Sequence, residues 1–221
     1  MMRRLVLLAV LVLAGCARED GLRPYAVVRR ADVWQAVITD ADRGRLSRLG
    51  EAWEQARADI SAAGADADLA RLGPVAQQSL VQQSLAQDGG GGDTVFPRAG
   101  AHECRTIQLG WHQGAAHTAP AVQAGAWAPC RLTADGIVLR FETAPGPQQY
   151  LGTLYPDVDR LIFLGTVRLA GEMGRLRYGE DGQRDQLGVL QAIGPGQWRI
   201  ALPWPRWTAR LVLIDIRTVP A

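Results

Sequence analysis

The stretch APCRLTADGIVLRFET, residues 128–143, decides the fold: two short runs of alternating apolar and polar residues flank Asp135-Gly136. An Asp-Gly pair accepts the positive φ angles of a tight hairpin, and alternation with a period of two puts one face of each run into a core. The same texture continues on both sides. From Thr94 onward, runs of this kind fall at residues 102–110, 128–133, 137–143, 150–154, 160–169, 186–193, 198–202 and 210–218, and Asp181-Gly182 marks a second hairpin turn. About eight strands at this spacing, with no helical period between them, favour a mainly antiparallel β-barrel or sandwich over any α/β fold.

Upstream the period changes. Leu46, Leu49, Trp53, Ala56 and Ile60 recur at helical spacing, so residues 39–63 read as one helix, with Thr39 and Asp42 placed as a capping box. Gly44 and Gly50 weaken this helix and Gly64 ends it. A shorter helical piece over 66–72 stops at Gly73-Pro74, which predicts a helical hairpin with Trp53 buried inside it. The duplicated QQSLVQQSL at 77–85 runs into Asp88 and four glycines, Gly89 to Gly92. The fold class is therefore α+β: a helical segment over 33–87, a Gly-rich linker over 88–93 and a β domain over 94–221. The helices are expected on an end or side of the barrel.

The beginning of the chain carries an address. Met1-Met2-Arg3-Arg4 is basic, residues 5–13 are apolar throughout, and Leu13-Ala14-Gly15-Cys16 closes the run. That apolar run is too short to span a bilayer and has the features of a lipoprotein signal peptide, residues 1–15, cleaved before Cys16. Cys16 is then the lipidated residue, carrying palmitate or similar chains. Each buried methylene contributes about 0.8 kcal/mol, enough for two or three chains to hold the protein on a membrane. Residues 16–32 are polar and aperiodic and read as a tether. Ala17 after the lipidated cysteine points to the outer membrane, on its periplasmic face.

Composition narrows the functions. Without Arg3 and Arg4 the basic count falls from 24 to 22, facing 22 acids. No basic stripe stands out, so nucleic acid is not an expected partner. Lys and Asn are absent altogether, which removes Schiff-base, phosphate-loop and Ser-Lys chemistry. Serine occurs only at Ser47, Ser61, Ser79 and Ser84, so the β half has no nucleophile elbow. Cys104 and Cys130 remain for an oxidising compartment and are expected to form a disulfide, stabilising the fold by about 3 kcal/mol in a chain-entropy account.

Three side-chain groups are candidates for chemistry. His102, His112 and His117 lie close in sequence, with Glu103 beside them, but their spacing matches no zinc motif; loop histidines without a metal or other cofactor are expected. Glu172, Glu180, Asp181 and Asp185 offer an acid and base for polysaccharide hydrolysis, whereas their turn context predicts a solvated hairpin, with Arg184 and Asp185 paired at a strand start. Trp198, Trp204 and Trp207 alternate with Pro203, Pro205, Arg199 and Arg206. Trp198 alternates with Ile200 and Leu202 and reads as core, while Trp204, Arg206 and Trp207 form the candidate binding surface, because Trp and Arg anchor interfaces and stack on sugars.

The chain resembles a group of proteobacterial lipoproteins catalogued as domain of unknown function 4893. The resemblance rests on Trp34, Ile38-Thr39, Asp42-Arg43, Leu46 and Ala52-Trp53 in the helical part. In the β part it rests on Cys104-Arg105, Leu109-Gly110, Gly152, Leu154-Tyr155-Pro156, Phe163-Leu164-Gly165, Tyr178-Gly179, Arg184-Asp185, Gly188, Trp198-Arg199 and Pro203-Trp204-Pro205. Pro145-Gly146-Pro147-Gln148-Gln149 departs from it, standing where a polar turn is expected. The resemblance implies fold and location and no activity.

Together these features predict a lipid-anchored periplasmic binding or structural protein of the cell envelope, held to the membrane by its N-terminal lipid, with an envelope protein or the cell wall as partner. No catalytic activity is expected. The alternatives are an inhibitor of lysozyme or protease, an envelope polysaccharide hydrolase in which Glu172 and Asp185 share a cleft, and a lipocalin-like carrier with a hollow barrel.

Overall fold

A computed structural model describes residues 33–72, 96–112, 118–174 and 176–219. The signal peptide, Cys16, the tether, the 77–85 duplication, the Gly-rich linker and His117 lie outside the described residues.

The helices are α1 (Trp34–Val37), α2 (Asp40–Ser47), α3 (Leu49–Ala62) and α4 (Asp66–Arg71). Thr39 caps α2, its Oγ1 accepting the Asp42 N–H at 3.3 Å. The single helix expected over 39–63 is two helices, broken at Arg48 (φ −106°, ψ 20°) and not at Gly44 or Gly50. The break seats α3 with Leu49, Ala52, Trp53, Ala56 and Ile60 buried in one cluster with strand residues. Trp53 lies beside Val189 and Ala201 of the sheet, in the same buried cluster as Leu69 of α4, which packs on α3. Burial of a wide apolar face requires more surface than the short α4 offers.

The strands are β1 (Gly100–Leu109), β2 (Val122–Ala124), β3 (Ala128–Asp135), β4 (Val138–Thr143), β5 (Gln148–Asp157), β6 (Arg160–Leu169), β7 (Asp185–Gly194), β8 (Gln197–Pro203) and β9 (Leu211–Thr218). All pairings are antiparallel, β3 to β9 follow one another in order, and β1 pairs with both β3 and β9. These eight strands close a barrel. The short β2, not foreseen from sequence, pairs with the far end of β1 beyond β3. Gly136 takes the positive φ expected of the Asp135-Gly136 turn. Asp181-Gly182 is a turn but not a hairpin: it sits within the 170–184 connection between β6 and β7, where Asp181 Oδ1 accepts the Gln183 N–H at 2.8 Å.

Alternation sorts the two faces of the wall. Leu132, Phe141, Leu154, Phe163, Leu190, Ile200 and Ile214 share an interior cluster. The Phe163 ring fills the space that side chains at Gly152 and Gly165 would occupy, since a Cβ there would approach it to 2.5 and 2.4 Å. Phe141 meets Phe163 edge-on, with ring centroids 5.8 Å apart. This barrel is filled by its own side chains, so the hollow interior of a lipocalin-like carrier is not met. The Cys104–Cys130 disulfide ties β1 to β3, and Trp198 is core as expected.

The helices cover one side of the wall, α2 against β7 and α3 against β8, β9 and β1. Two polar devices fix them. Asp59 of α3 accepts the Trp111 N–H and the Arg210 Nε–H, both at 3.0 Å. Across β1, β9 and β8, Arg105, Asp215 and Arg199 stand in one row, with the 3 % exposed Asp215 carboxylate accepting from both guanidiniums. Arg105 also donates to the Leu72 carbonyl at the end of α4. The side of the barrel around β4 to β6 is left to a different structure.

Candidate functional site

A buried polar node joins α2 to the 170–184 connection. Asp42 is 2 % exposed; its Oδ1 accepts from Arg45 Nε at 2.8 Å, and its Oδ2 accepts the Tyr178 hydroxyl at 2.6 Å. Tyr178 Oη in turn accepts the Thr39 N–H at 3.1 Å. Arg45 reaches further, donating to the Asp185 carbonyl at 3.0 Å and the Trp204 carbonyl at 3.3 Å. Asp185, at the first position of β7, accepts the Gly179 N–H at 2.9 Å. Burial raises the Asp185 carboxyl above its ordinary range; the Gly179 N–H opposes this and Asp42 reinforces it. Burial, and then the bond to Asp42, raises the Tyr178 phenol.

On one side of the node lies a groove of about 1010 Å³ along the outer face of β4, β5 and β6. The main chain of Gly152 and Gly165 forms part of its floor, and Leu176, Arg177 and Tyr178 form a wall. Arg140, Arg168 and Arg177 line it, with Glu142 as the acidic side chain. Arg140 is held by Asp135 at 2.8 Å and donates to Thr153 Oγ1 at 2.8 Å. Thr166 also lines the groove; it is 2 % exposed and its hydroxyl has no hydrogen-bond partner.

On the other side of the node is a pocket of about 330 Å³ lined by Arg45, Arg48, His112, Trp204 and Arg206. Trp204 adopts φ +51°, a left-handed conformation uncommon for a bulky residue. Its main chain is held at both groups, N–H to the Arg210 carbonyl at 2.8 Å and C=O from Arg45. Its indole is flanked by the guanidiniums of Arg48 and Arg210, 5.4 and 5.9 Å from the ring centroid. Trp204 and Arg206 thus share a pocket. Trp207 does not line it: 42 % exposed, it lies under Arg184, 5.0 Å from the ring centroid.

A family model described as a domain of unknown function, DUF4893, matches residues 34–216. The chain belongs to the DUF4893 family. No curated protein and no solved structure matches it. The match spans both helices and barrel, so in this DUF4893 protein the helical segment and the β domain are parts of one family unit. The residues that carry the resemblance gather at the places just described. Thr39, Asp42, Tyr178 and Asp185 meet in the node, and Gly152, Tyr155, Leu164 and Gly165 line the groove.

The remaining candidates of this DUF4893 protein are dispersed. Glu172 does not share a cleft with Asp185: its carboxylate binds the Arg184 guanidinium and the Leu169 N–H, and Arg184 holds it below the ordinary range. The expected Arg184–Asp185 pair is therefore replaced by Arg184–Glu172, because Asp185 points to the node. Glu180 accepts the Arg177 N–H, a structural bond in an exposed turn. His102 is not an exposed loop residue. It is 6 % exposed at the barrel end, its Nε2 hydrogen-bonded to the Arg98 carbonyl at 2.9 Å and its ring edge-on to Trp198. His112 lines the Trp204 pocket, so His102 and His112 do not converge. No group of three metal-ligating side chains occurs among the described residues.

Sequence reasoning missed the node because Asp42 and Tyr178, which join its two halves, lie 136 residues apart. The Thr39–Asp42 capping pair was the one accessible signal.

Proposed function

We propose that this DUF4893 protein is a lipid-anchored binding protein of the cell envelope, tethered by Cys16 to the periplasmic face of the outer membrane, and that it engages its envelope or cell-wall partner through the pocket at Trp204 and Arg206. The observation that carries this reading is the fixed presentation of Trp204: main chain held at both groups, indole flanked by Arg48 and Arg210, Nε1 buried without a partner. An aromatic face with adjacent guanidiniums is the residue chemistry of interface anchors. The filled barrel supports a binding mode on the outside of the wall, and the separation of Glu172 from Asp185 leaves the hydrolase reading without its acid pair.

Two experiments test it. Metabolic palmitate labelling should mark the protein and be lost in Cys16→Ser; labelling that survives in that variant contradicts the anchor. Purified soluble protein should co-sediment with cell-wall sacculi or cross-link to one envelope protein through a photoreactive residue at Arg206. Trp204→Ala should reduce that capture at least tenfold while leaving the circular dichroism spectrum unchanged. Unchanged capture in a folded Trp204→Ala removes the proposed surface.

A further inference from the structure

We propose a second ligand site, in the groove over β4, β5 and β6, whose ligand is an acidic oligosaccharide bearing carboxylate or phosphate groups.

The floor excludes a peptide added as a strand. β5 is hydrogen-bonded to β4 on one side and to β6 on the other, in register from Gln148↔Leu169 to Asp157↔Arg160, so this part of the sheet has no open edge. What the floor offers instead is side chains and bare main chain. Thr153, Thr166 and Arg168 line it from β5 and β6, while the side-chain spaces of Gly152 and Gly165 lie on the interior face that Phe163 fills. Acidic sugars combine many hydroxyls with oxyanions, and the groove answers both with threonine hydroxyls and guanidinium forks.

The charge comes from three separate elements, Arg140 from β4, Arg168 from β6 and Arg177 from the loop, against Glu142 alone among the lining acids. Arg140 is partly neutralised by Asp135, and Arg168 donates to Gln149 Oε1. Arg177 has no ion pair among the described residues. Guanidiniums match planar or tetrahedral oxyanions through paired N–H donors. A neutral glycan gains nothing from this excess of charge, and an acyl chain would strip water from it at high cost.

Thr166 is an independent sign of a ligand. Its hydroxyl is buried and unpartnered where the residue lines the groove, and leaving a buried polar group unpaired costs about 1–3 kcal/mol. A ligand hydroxyl or oxyanion that reaches this hydroxyl supplies the missing partner.

The test is a titration of the isotopically labelled soluble protein, Cys16→Ser, with hexameric oligogalacturonate and, in parallel, with neutral chitohexaose, followed by amide chemical shifts. The acidic oligomer should shift Thr153, Thr166 and Arg168, weaken at least tenfold between 50 and 300 mM salt as ion pairing is screened, and the neutral oligomer should not shift them. Thr166→Val, which removes an unpartnered hydroxyl and retains the fold, and Arg177→Glu should each weaken binding at least fivefold, whereas Trp204→Ala should leave it unchanged. Equal binding of both oligomers overturns the acidic class. Binding lost only in Trp204→Ala moves the ligand to the other pocket. Absence of groove shifts with both oligomers overturns the site.

Discussion

Tyr178 donates its hydroxyl hydrogen to Oδ2 of Asp42 at 2.6 Å, joining the 170–184 connection to helix α2. Asp42 holds Arg45, and Arg45 holds the Trp204 carbonyl, so one chain of hydrogen bonds runs from the groove wall to the Trp204 pocket. Both candidate sites share a wall, and the wall's stability rests on buried polar groups that are costly to leave unpaired.

Tyr178→Phe should therefore destabilise the fold by about 1–3 kcal/mol, because it leaves the Thr39 N–H and Asp42 Oδ2 without their partner. Urea unfolding measures this directly. A change within experimental error would show that the bond is not a structural tie.

Asp185 gives a pH signature. Burial raises its carboxyl above the ordinary 3.8, so the folded state holds the proton more tightly than the unfolded chain does. That contribution favours folding below 3.8 and is lost as pH rises through the raised value. Asp185→Asn retains an oxygen for the Gly179 N–H and removes the buried charge beside Asp42. It should be at least as stable as the natural protein at pH 7, with the gap closing toward pH 4. Glu172, held low by Arg184, works in the opposite sense: its contribution is present above 4.5 and is lost on acidification. Marked destabilisation of Asp185→Asn at pH 7 would mean that Arg45 needs that charge.

Gly165→Ala tests the filled barrel. The new Cβ would meet the Leu151 carbonyl oxygen at 2.3 Å and the Phe163 ring at 2.4 Å, with backbone on one side and a locked ring on the other. Overpacking of this kind costs about 1–3 kcal/mol or more. Gly44→Ala, in α2 with open space around it, should instead stabilise by about 0.5–1 kcal/mol. Thermal melts of the two variants should move in opposite directions; a tolerated Gly165→Ala would show space where the account places none.

Asp215→Ala should cost about 3–5 kcal/mol, since it leaves Arg199, 3 % exposed, and Arg105 without their shared carboxylate. Substituting all three residues by apolar ones of similar volume should recover much of that loss. If Asp215→Ala alone is silent in denaturant titration, the row does not hold the helices to the barrel.

The barrel was legible in the sequence to the extent that its strands alternate. The eight expected runs match the eight barrel strands within a few residues, because each buries one face and a period of two survives any neighbour. β2 escaped because a strand as short as Val122–Ala124 has no period to read. The break at Arg48 escaped because tertiary seating of α3 on the barrel, not a glycine, places it. His102 was misjudged for a related reason: its place in a strand turns it inward, whatever its polarity. Of the binding surface, sequence proximity joined Trp204 and Trp207, and the positive φ at Trp204 separates them. The node depends on partners far apart in the chain, and the groove on the register of β4, β5 and β6, which no local motif reports.

The most direct test of the central claim, a filled barrel that binds on its outer wall through Trp204, is a methyl and indole chemical-shift map of the soluble Cys16→Ser protein with solubilised cell-wall fragments. The account predicts shifts at the Trp204 indole and nearby residues, while the methyls of Leu154, Leu190 and Ile200 inside the barrel stay in place. Shifts at those interior methyls with an unmoved Trp204 would contradict it and return the barrel to the role of a carrier.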